Sequence, residues 1–460
     1  MNNWKGKNVL VIGAARQGLA ATRFLSKMGA YVTLNDGKNA SIFEGVTKQF
    51  TNLNVQFHFG GHPLALLDGK DVICVSGGVP LNLPVIQEAR KRKIPLTNDT
   101  QIFLEQTTAH VIGITGSAGK TTTTTFIGEI AKSAVTPPQS VWVGGNIGNP
   151  LIDQVSQIKK DDWVVMELSS FQLELTNYSP EIALVLNITP NHLDRHKTMQ
   201  AYIAAKANIL LNQNASGIAI LNRDEPNAYA LRKLNKGKLF TFGNHKSSSD
   251  IPGTYIRDGF IIFSDSIKDV PIMPLEEINL PGEHNHANAL AACTAGVAAG
   301  FSIKSIRSGI QNVRSIPHRL ELVIEKNHIR WINDSIATAP ERVLAALDAI
   351  NGPLVLLLGG RDKNLPWDKL AQAVAYRKPK LILFGEAGEM IENIFRQDQY
   401  CGEKYQIDRF KKFEDAVLHA KKVVSPGESV LLSPGGTSYD AFADFEERGN
   451  IFRDLVEQIA

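Results

Sequence analysis

The residues best equipped for chemistry lie between Ile112 and Phe126, in the run IGITGSAGKTTTTTF. An apolar strand through Val111, Ile112 and Ile114 leads into a glycine-rich turn, Gly116-Ser117-Ala118-Gly119, followed by a lysine and a run of threonines. Backbone N–H groups in such a turn converge on an anion, the lysine reaches terminal phosphates, and the next hydroxyl suits Mg²⁺. Lys120, Thr121 and Thr122 therefore read as phosphate and metal ligands. The turn is shorter than the common G-x-x-x-x-G-K-[ST] loop, because Ile114 stands where that pattern has its first glycine. A plain exposed helix cap is the competing reading. The β-branched run Thr121 to Thr125 opposes it, since threonines are poor helix formers and better explained as caps or ligands.

Other candidates stand at the ends of apolar runs. Strand Val164 to Met166 delivers Glu167, a hard oxygen ligand suited to Mg²⁺ where an open α/β sheet places its ligands; the alternative is a carboxylate capping the next helix. The segment NITPNHLDRH adds His192 and Asp194. Lys206, in a helix expected over Ala201 to Leu211, shares the inward stripe of Tyr202, Ile209 and Leu210. A buried lysine loses its proton easily, and the neutral amine can take up carbon dioxide as a carbamate, an anionic second ligand for Mg²⁺. A lysine snorkelling from the helix edge is the alternative. Asn285 and Asn288, three apart at a helix start, can read an adenine edge or serve as caps. Asp334 follows a strand and suits ribose hydroxyls, while Thr338 and Glu341 around Pro340 predict a capping box. Arg361, Lys363, Thr437 and Ser438 fall in loops at strand ends. Lys363 and a helix expected to start at Ser438 would bind a small carboxylate.

Positioning these groups requires α/β layers, because strand-like and helical patterns alternate throughout and predict three mostly parallel sheets. The first has strands Asn8 to Ile12 and Tyr31 to Asn35, joined by the turn Gly13 to Gly18 and ending at Asp36. Its Gly13-x-Ala15-x-x-Gly18 pattern half-matches a dinucleotide fingerprint, leaving open a nucleotide-sugar site, an NAD site or a structural turn. The second sheet starts near Thr107 and includes Trp163 to Met166, Ile182 to Asn187 and Gly217 to Asn222. The third follows Pro317 with Ile329 to Asn333, Leu354 to Leu358, Leu381 to Phe384 and Ser429 to Leu432. Domains are expected at 1–98, 99–314 and 315–460, with Asn244 to Pro252 a loop.

Composition narrows the class. With 460 residues, 43% hydrophobic and 21% charged, the chain reads as an ordinary soluble protein, and a net charge of +3 predicts no nucleic-acid partner. No apolar run is long enough to cross a membrane, and the start MNNWKGKN resembles no targeting segment, so a cytoplasmic protein is expected. Cys74, Cys293 and Cys401 lack any C-x-x-C spacing and imply neither disulfides nor zinc.

Taken in order, TGSAGKTT, GGNIG at Gly144 to Gly148, ELSSFQLE, NITPNHLDRH, YIAAK, GEHNHANALAA, PHRLE, NDS and LSPGGTSYDAFADFEERG make the chain resemble the bacterial Mur ligases over nearly its whole length. The first domain and ELSSFQLE are most similar to the branch that adds D-glutamate to UDP-N-acetylmuramoyl-L-alanine. No DNPR motif of the diaminopimelate- or lysine-adding branch is present. The resemblance implies a Rossmann-like N-terminal domain for the UDP-sugar, a central P-loop ATPase-like domain and a C-terminal Rossmann-like domain for the amino acid. It implies an ATP- and Mg²⁺-dependent amide ligase of peptidoglycan synthesis, acting through an acyl phosphate, as a cytoplasmic monomer.

By the same resemblance, Gly116 to Thr122 hold ATP phosphates, Thr121 and Glu167 one Mg²⁺, and His192 with carbamylated Lys206 a second. Lys120, Lys206, His192 and Asn146 take catalytic roles, and Asn285, Asn288, Arg319 and Asp334 contact adenosine. Ala15, Arg16, Asp36, Gly37, Lys38, Ser76, Gly77 and Gly78 form the uridine diphosphate pocket. Thr338, Lys363, Ser438 and Phe445 hold glutamate. Three positions depart from the family pattern: Ala118 and Ala339 replace asparagines, and Ile336 replaces a lysine whose charge Lys363 or Arg361 would have to supply. An NAD-dependent oxidoreductase, built on Gly13 to Asp36, and a P-loop binding protein without ligase chemistry are the readings from other classes.

Overall fold

Apolar runs such as Asn8–Ile12, His110–Thr115 and Leu354–Gly359 are buried almost from end to end, as strands covered on both faces must be. In a computed structural model of the chain they belong to three sheets. The structure describes residues 3–459 apart from 149, 248, 249, 266, 281 and 398, and without the side chains of Glu44 and Asp194; the expectation for Asp194 therefore lies outside the described residues, as do two positions of the expected Asn244 to Pro252 loop.

The first sheet holds β1 (Asn8–Ile12), β2 (Tyr31–Asp36), β3 (Val55–Phe59), β4 (Val72–Val75) and β5 (Leu96–Thr97), in the order β3-β2-β1-β4-β5 and parallel throughout. The chain winds outward from β1 to β3, then crosses to β4. That reversal opens a crevice between the carboxyl ends of β1 and β4, the usual ligand position in such sheets. Gly18 is needed here: a Cβ on it would lie 1.8 Å from the Gly13 carbonyl oxygen, so the helix Arg16–Lys27 can approach the turn only without a side chain.

The second sheet contains β6 (His110–Thr115), β7 (Val141–Gly145), β8 (Trp163–Glu167), β9 (Ile182–Val185), β10 (Ile218–Asn222), β11 (Lys238–Phe242), β12 (Gly253–Arg257), β13 (Phe260–Ser264) and β14 (Asp269–Pro274). Its order is β14-β13-β12-β11-β10-β9-β6-β8-β7. It is parallel from β7 to β12, but β12, β13 and β14 form an antiparallel meander that the alternation of strands and helices had not suggested. The signal was present. Asp258-Gly259, with φ of 50° and 75°, is the two-residue turn that favours hairpins. The phosphate-loop helix Lys120–Ala134 packs against the helices Glu283–Ala298 and Ile303–Asn312. Contact is close, since a Cβ on Gly309 would stand 2.4 Å from the Ile130 backbone.

The third sheet has β15 (Glu321–Lys326), β16 (Ile329–Asn333), β17 (Leu354–Gly359), β18 (Lys380–Phe384), β19 (Ile407–Phe410) and β20 (Ser429–Gly435), ordered β15-β16-β20-β17-β18-β19. Among the described residues of this sheet only the hairpin β15–β16 is antiparallel. The chain separates into two compact units, Met1–Arg314 with the first two sheets and Ser315–Ala460 with the third.

Two local expectations are corrected. The helix expected at Ser438 begins at Phe445, because Ser438 instead starts a tight turn, its carbonyl accepting from Phe442 N at 2.8 Å. The helix is capped later, where Asp444 Oδ1 accepts from Glu447 N and Glu447 Oε2 from Ala443 N. The capping box expected of Thr338 and Glu341 is also absent. Ala339 occupies the N-cap without a side-chain bond, and the Thr338 hydroxyl accepts from Lys363 Nζ.

Candidate functional site

The phosphate loop leaves β6 and is fastened from two neighbouring elements. Asn187, just past β9, accepts from Ala118 N at 2.8 Å and donates to the Ala118 carbonyl at 3.1 Å. The Ser117 hydroxyl bonds to the Thr189 carbonyl and to the Tyr202 hydroxyl, at 2.9 and 3.0 Å. Gly119 turns into the helix with φ of +82°, and a Cβ there would strike Asn288 Oδ1 at 2.3 Å. Asn288 is thus placed against the loop, accepting from Thr123 Oγ1 at 3.3 Å and donating to Asn285 at 3.2 Å. The helix N-terminus that follows presents unsatisfied N–H groups and a positive dipole end to an anion.

Hard oxygen groups collect beside it. Glu167, 1% exposed at the end of β8, accepts from Thr121 Oγ1 at 2.9 Å and from Asn146 Nδ2 at 2.8 Å. It does not cap the next helix; Ser169 does, with Gln172 completing a capping box. Among the described residues no three His, Cys, Asp or Glu side chains converge. One carboxylate and one hydroxyl nonetheless fit Mg²⁺, which takes most of its ligands from phosphates and water.

Lys206 is 1% exposed and does not snorkel. Its Nζ donates to the Gly116 carbonyl at 2.8 Å and to Thr115 Oγ1 at 3.3 Å, while Lys120 Nζ donates to the same carbonyl at 3.0 Å. Burial, and then the neighbouring Lys120, push the Lys206 pKa down to about 6, with Glu167 opposing. A buried amine beside another lysine is therefore neutral near pH 7, the form that carbamate chemistry requires.

His192 lies in the left-handed region, φ 53°, ahead of the short helix Leu193–His196, its ring edge-on to Phe171 at 5.0 Å. It lines a cleft of about 710 Å³ with Gly78, Phe171, Glu174 and Arg195. Ala15, Arg16, Asp36, Gly37, Lys38, Ser76, Gly77 and Gly78 gather at the carboxyl ends of β1, β2 and β4, around the crevice. Asp36 orders that rim, accepting from Ala14 N at 2.8 Å and Lys38 N at 2.9 Å.

The unit Ser315–Ala460 carries its own cluster. Lys363 is exposed overall, yet its ammonium bonds to Thr338 Oγ1 at 3.1 Å, and burial, then Arg342 and Arg448, lower its pKa. Arg361 pairs with Glu386 through two bonds of 2.7 and 2.8 Å, so of the two cations weighed for the charge lacking at Ile336, Lys363 is the one not held by a carboxylate in these bonds. Fully buried Arg448 braces the carbonyls of Ser335 and Gly436, at 2.9 and 3.3 Å. Ser335 in turn donates to the carbonyl of Phe445 at 2.8 Å. Ser438 is 2% exposed in its turn. Asp334 spends both oxygens internally, on Leu320 N at 3.2 Å and Ser433 Oγ at 2.8 Å, and burial raises its pKa to about 6. Arg319 lies beside it in the turn before β15.

Sequence reasoning overlooked Asn187, Tyr202, Phe171 and Arg195 as parts of the site. Asn187 had a legible signal, a side-chain amide at the ligand end of the strand beside the phosphate loop. The others stood inside the quoted motifs, Phe171 in ELSSFQLE, Arg195 in NITPNHLDRH and Tyr202 in YIAAK, but their partners are distant in sequence: Tyr202 and Arg195 act through hydrogen bonds and Phe171 through ring contacts.

Comparison with known proteins adds three family models: a Mur ligase MurD-like N-terminal domain over residues 7–98, a Mur ligase middle domain over 114–296 and a Mur ligase glutamate ligase domain over 318–436. The chain is 38% identical over 450 residues to the UDP-N-acetylmuramoylalanine–D-glutamate ligase of Symbiobacterium thermophilum, covering 98% of each chain. Similarity to the protein of the same name from Pelotomaculum thermopropionicum is 38% over 457 residues, 99% of this chain and 98% of that one. Among solved structures, MurF from Acinetobacter baumannii matches with a TM-score of 0.58 at 17% identity, over 98% of this chain and 93% of that one. The UDP-N-acetylmuramate-alanine ligase MurC of Thermotoga maritima gives a TM-score of 0.56 at 16% identity, over 98% and 99%.

Proposed function

The chain belongs to the Mur ligase family, and we propose from its site that it is the ligase joining D-glutamate to UDP-N-acetylmuramoyl-L-alanine at the expense of ATP, in peptidoglycan precursor synthesis. The observation that carries this reading is the set of groups around one phosphate loop: Lys120, the Thr121–Glu167 pair and a buried Lys206 whose pKa burial lowers to about 6. Family membership leaves the hydride-transfer reading of Gly13 to Asp36 without support. Residues 1–98 are assigned to the UDP-sugar, 99–314 to ATP and 315–460 to the amino acid, in a monomer working in the cytoplasm.

In this reading the substrate's terminal carboxylate takes the γ-phosphoryl group of ATP, releasing ADP. The glutamate amine then attacks the acyl phosphate carbon, loses a proton, and phosphate leaves as the amide forms. Lys120 and the N–H groups of the loop neutralise charge on the transferring phosphoryl, largely an electrostatic task. Bound Mg²⁺ would share that charge at Thr121 and Glu167; a second ion at His192 and Lys206 requires Lys206 as its carbamate. Asn146 fixes the Glu167 carboxylate through its amide. Lys363 offers a cation to one glutamate carboxylate, with Thr338 orienting it, and the turn at Ser438 offers a hydroxyl and N–H groups to the other.

The test is phosphate release from ATP with UDP-N-acetylmuramoyl-L-alanine and a panel of amino acids that includes both glutamate enantiomers. Release is expected only with the nucleotide sugar and D-glutamate together. Turnover with a neutral or basic amino acid in place of glutamate would refute the pocket assignment.

A further inference from the structure

Arg195 is a partly buried cation beside the site that the mechanism does not use. Arg195 lies three residues beyond His192, its side chain 16% exposed. The guanidinium donates through Nη1 to the Gly77 carbonyl at 2.8 Å and through Nη2 to the Val79 carbonyl at 3.0 Å. It covers the Phe171 ring at 4.0 Å and stands 3.8 Å from Glu174. Phe171 meets His192 edge-on at 5.0 Å and stacks on His196 at 5.4 Å, so one ring unites the arginine with both histidines.

The two carbonyls belong to the loop that follows β4. This loop forms one wall of the crevice between β1 and β4, with the Ser76 hydroxyl turned to the Gly13 carbonyl at 3.4 Å. A short helix, Leu193–His196, that follows β9 of the second sheet thereby grips the rim of the first. A planar guanidinium with two donors on two separate carbonyls sets both position and angle, which a single ammonium cannot do. We propose that Arg195 is a positioning residue that locks the nucleotide-sugar crevice to the phosphoryl-transfer site, setting the span between the diphosphate of the substrate and its reacting carboxylate. The proposal rests on the ligase reading given above. A substrate held at both ends is sensitive to that span, because displacement of about 1 Å can cost on the order of 100-fold in rate.

The experiment is steady-state kinetics of the full chain with Arg195→Ala and Arg195→Lys, varying UDP-N-acetylmuramoyl-L-alanine and ATP separately. Arg195→Ala is expected to raise the nucleotide-sugar KM about tenfold or more and to lower kcat, with the ATP KM changed by less than about twofold. Arg195→Lys keeps the cation over Phe171 but reaches only one carbonyl. It should fall between the two, and it decides the matter if the alanine variant does not fold. Equal changes in both KM values, or a fall in kcat with neither KM altered, would overturn the proposal, since a residue that only supports the fold gives that pattern. A parent enzyme that releases no phosphate with the substrate pair would instead sink the ligase reading.

Discussion

Replacing Lys206 by methionine should stabilise the protein while removing its activity. Methionine keeps the unbranched apolar stem and loses only the amine. In the folded chain the Lys206 pKa falls from 10.5 to about 6, at 1% exposure. Between those values the unfolded chain holds a proton that the folded chain has released, so the parent's stability rises with pH across the window. Each unit is worth 1.36 kcal/mol. Near pH 7.5 the cost of deprotonation is therefore about 4 kcal/mol; it approaches about 6 kcal/mol below pH 6 and vanishes above about pH 10.5. Against this gain stand two lost hydrogen bonds, worth about 1–2 kcal/mol together. Neither partner is orphaned, because the Gly116 carbonyl keeps Lys120 and the Thr115 hydroxyl keeps the Leu168 carbonyl. A net gain of about 2–3 kcal/mol, set against the melting entropy of the compact unit Met1–Arg314, corresponds to a rise in Tm of roughly 3–5 °C. Calorimetry in metal-free, bicarbonate-free buffer at several pH values measures it, with phosphate release expected to fall about 100-fold or more. A variant that melts below the parent near neutral pH, or an advantage that fails to shrink as pH rises, would refute the reasoning.

Lys120→Ala should leave the fold intact and cost about 3–4 kcal/mol of transition-state stabilisation, read as a loss of kcat; near-normal turnover would end the phosphate-loop assignment. Gly119→Ala sets a side chain at φ +82° and 2.3 Å from Asn288 Oδ1, so the ATP KM should rise at least about tenfold while that of the nucleotide sugar stays close to the parent value. Lys363→Ala should raise the glutamate KM far more than the ATP KM, as expected for loss of binding at one substrate; equal changes would remove Lys363 from the amino-acid pocket.

Local chemistry was legible wherever a few adjacent residues are enough to define it. The spacing of Gly116 to Thr121, the apolar run into Glu167 and the inward stripe shared by Lys206 pointed to a candidate phosphate site before any fold was known, because turns, strand ends and helix faces are short-range properties. Family motifs extended that reading to the rest of the chain. The meander β12 to β14 was also written locally, in Asp258-Gly259, and was passed over in favour of the parallel pattern on either side.

What only the tertiary structure decided depends on residues far apart in sequence. The Lys206 pKa falls to about 6 because the residue is buried and stands beside Lys120, far away in sequence. Thr338 serves Lys363 rather than a helix cap, since the two meet only when β16 and β17 lie on either side of β20. The final helix starts at Phe445, not at Ser438 as the sequence suggested, because Asp444 and Glu447 cap it there. Arg195 stood in the motif NITPNHLDRH without a role to be read from it; its meaning lies in two carbonyls of the loop after β4, and a hydrogen bond to backbone leaves no trace in the identity of the residue that accepts it.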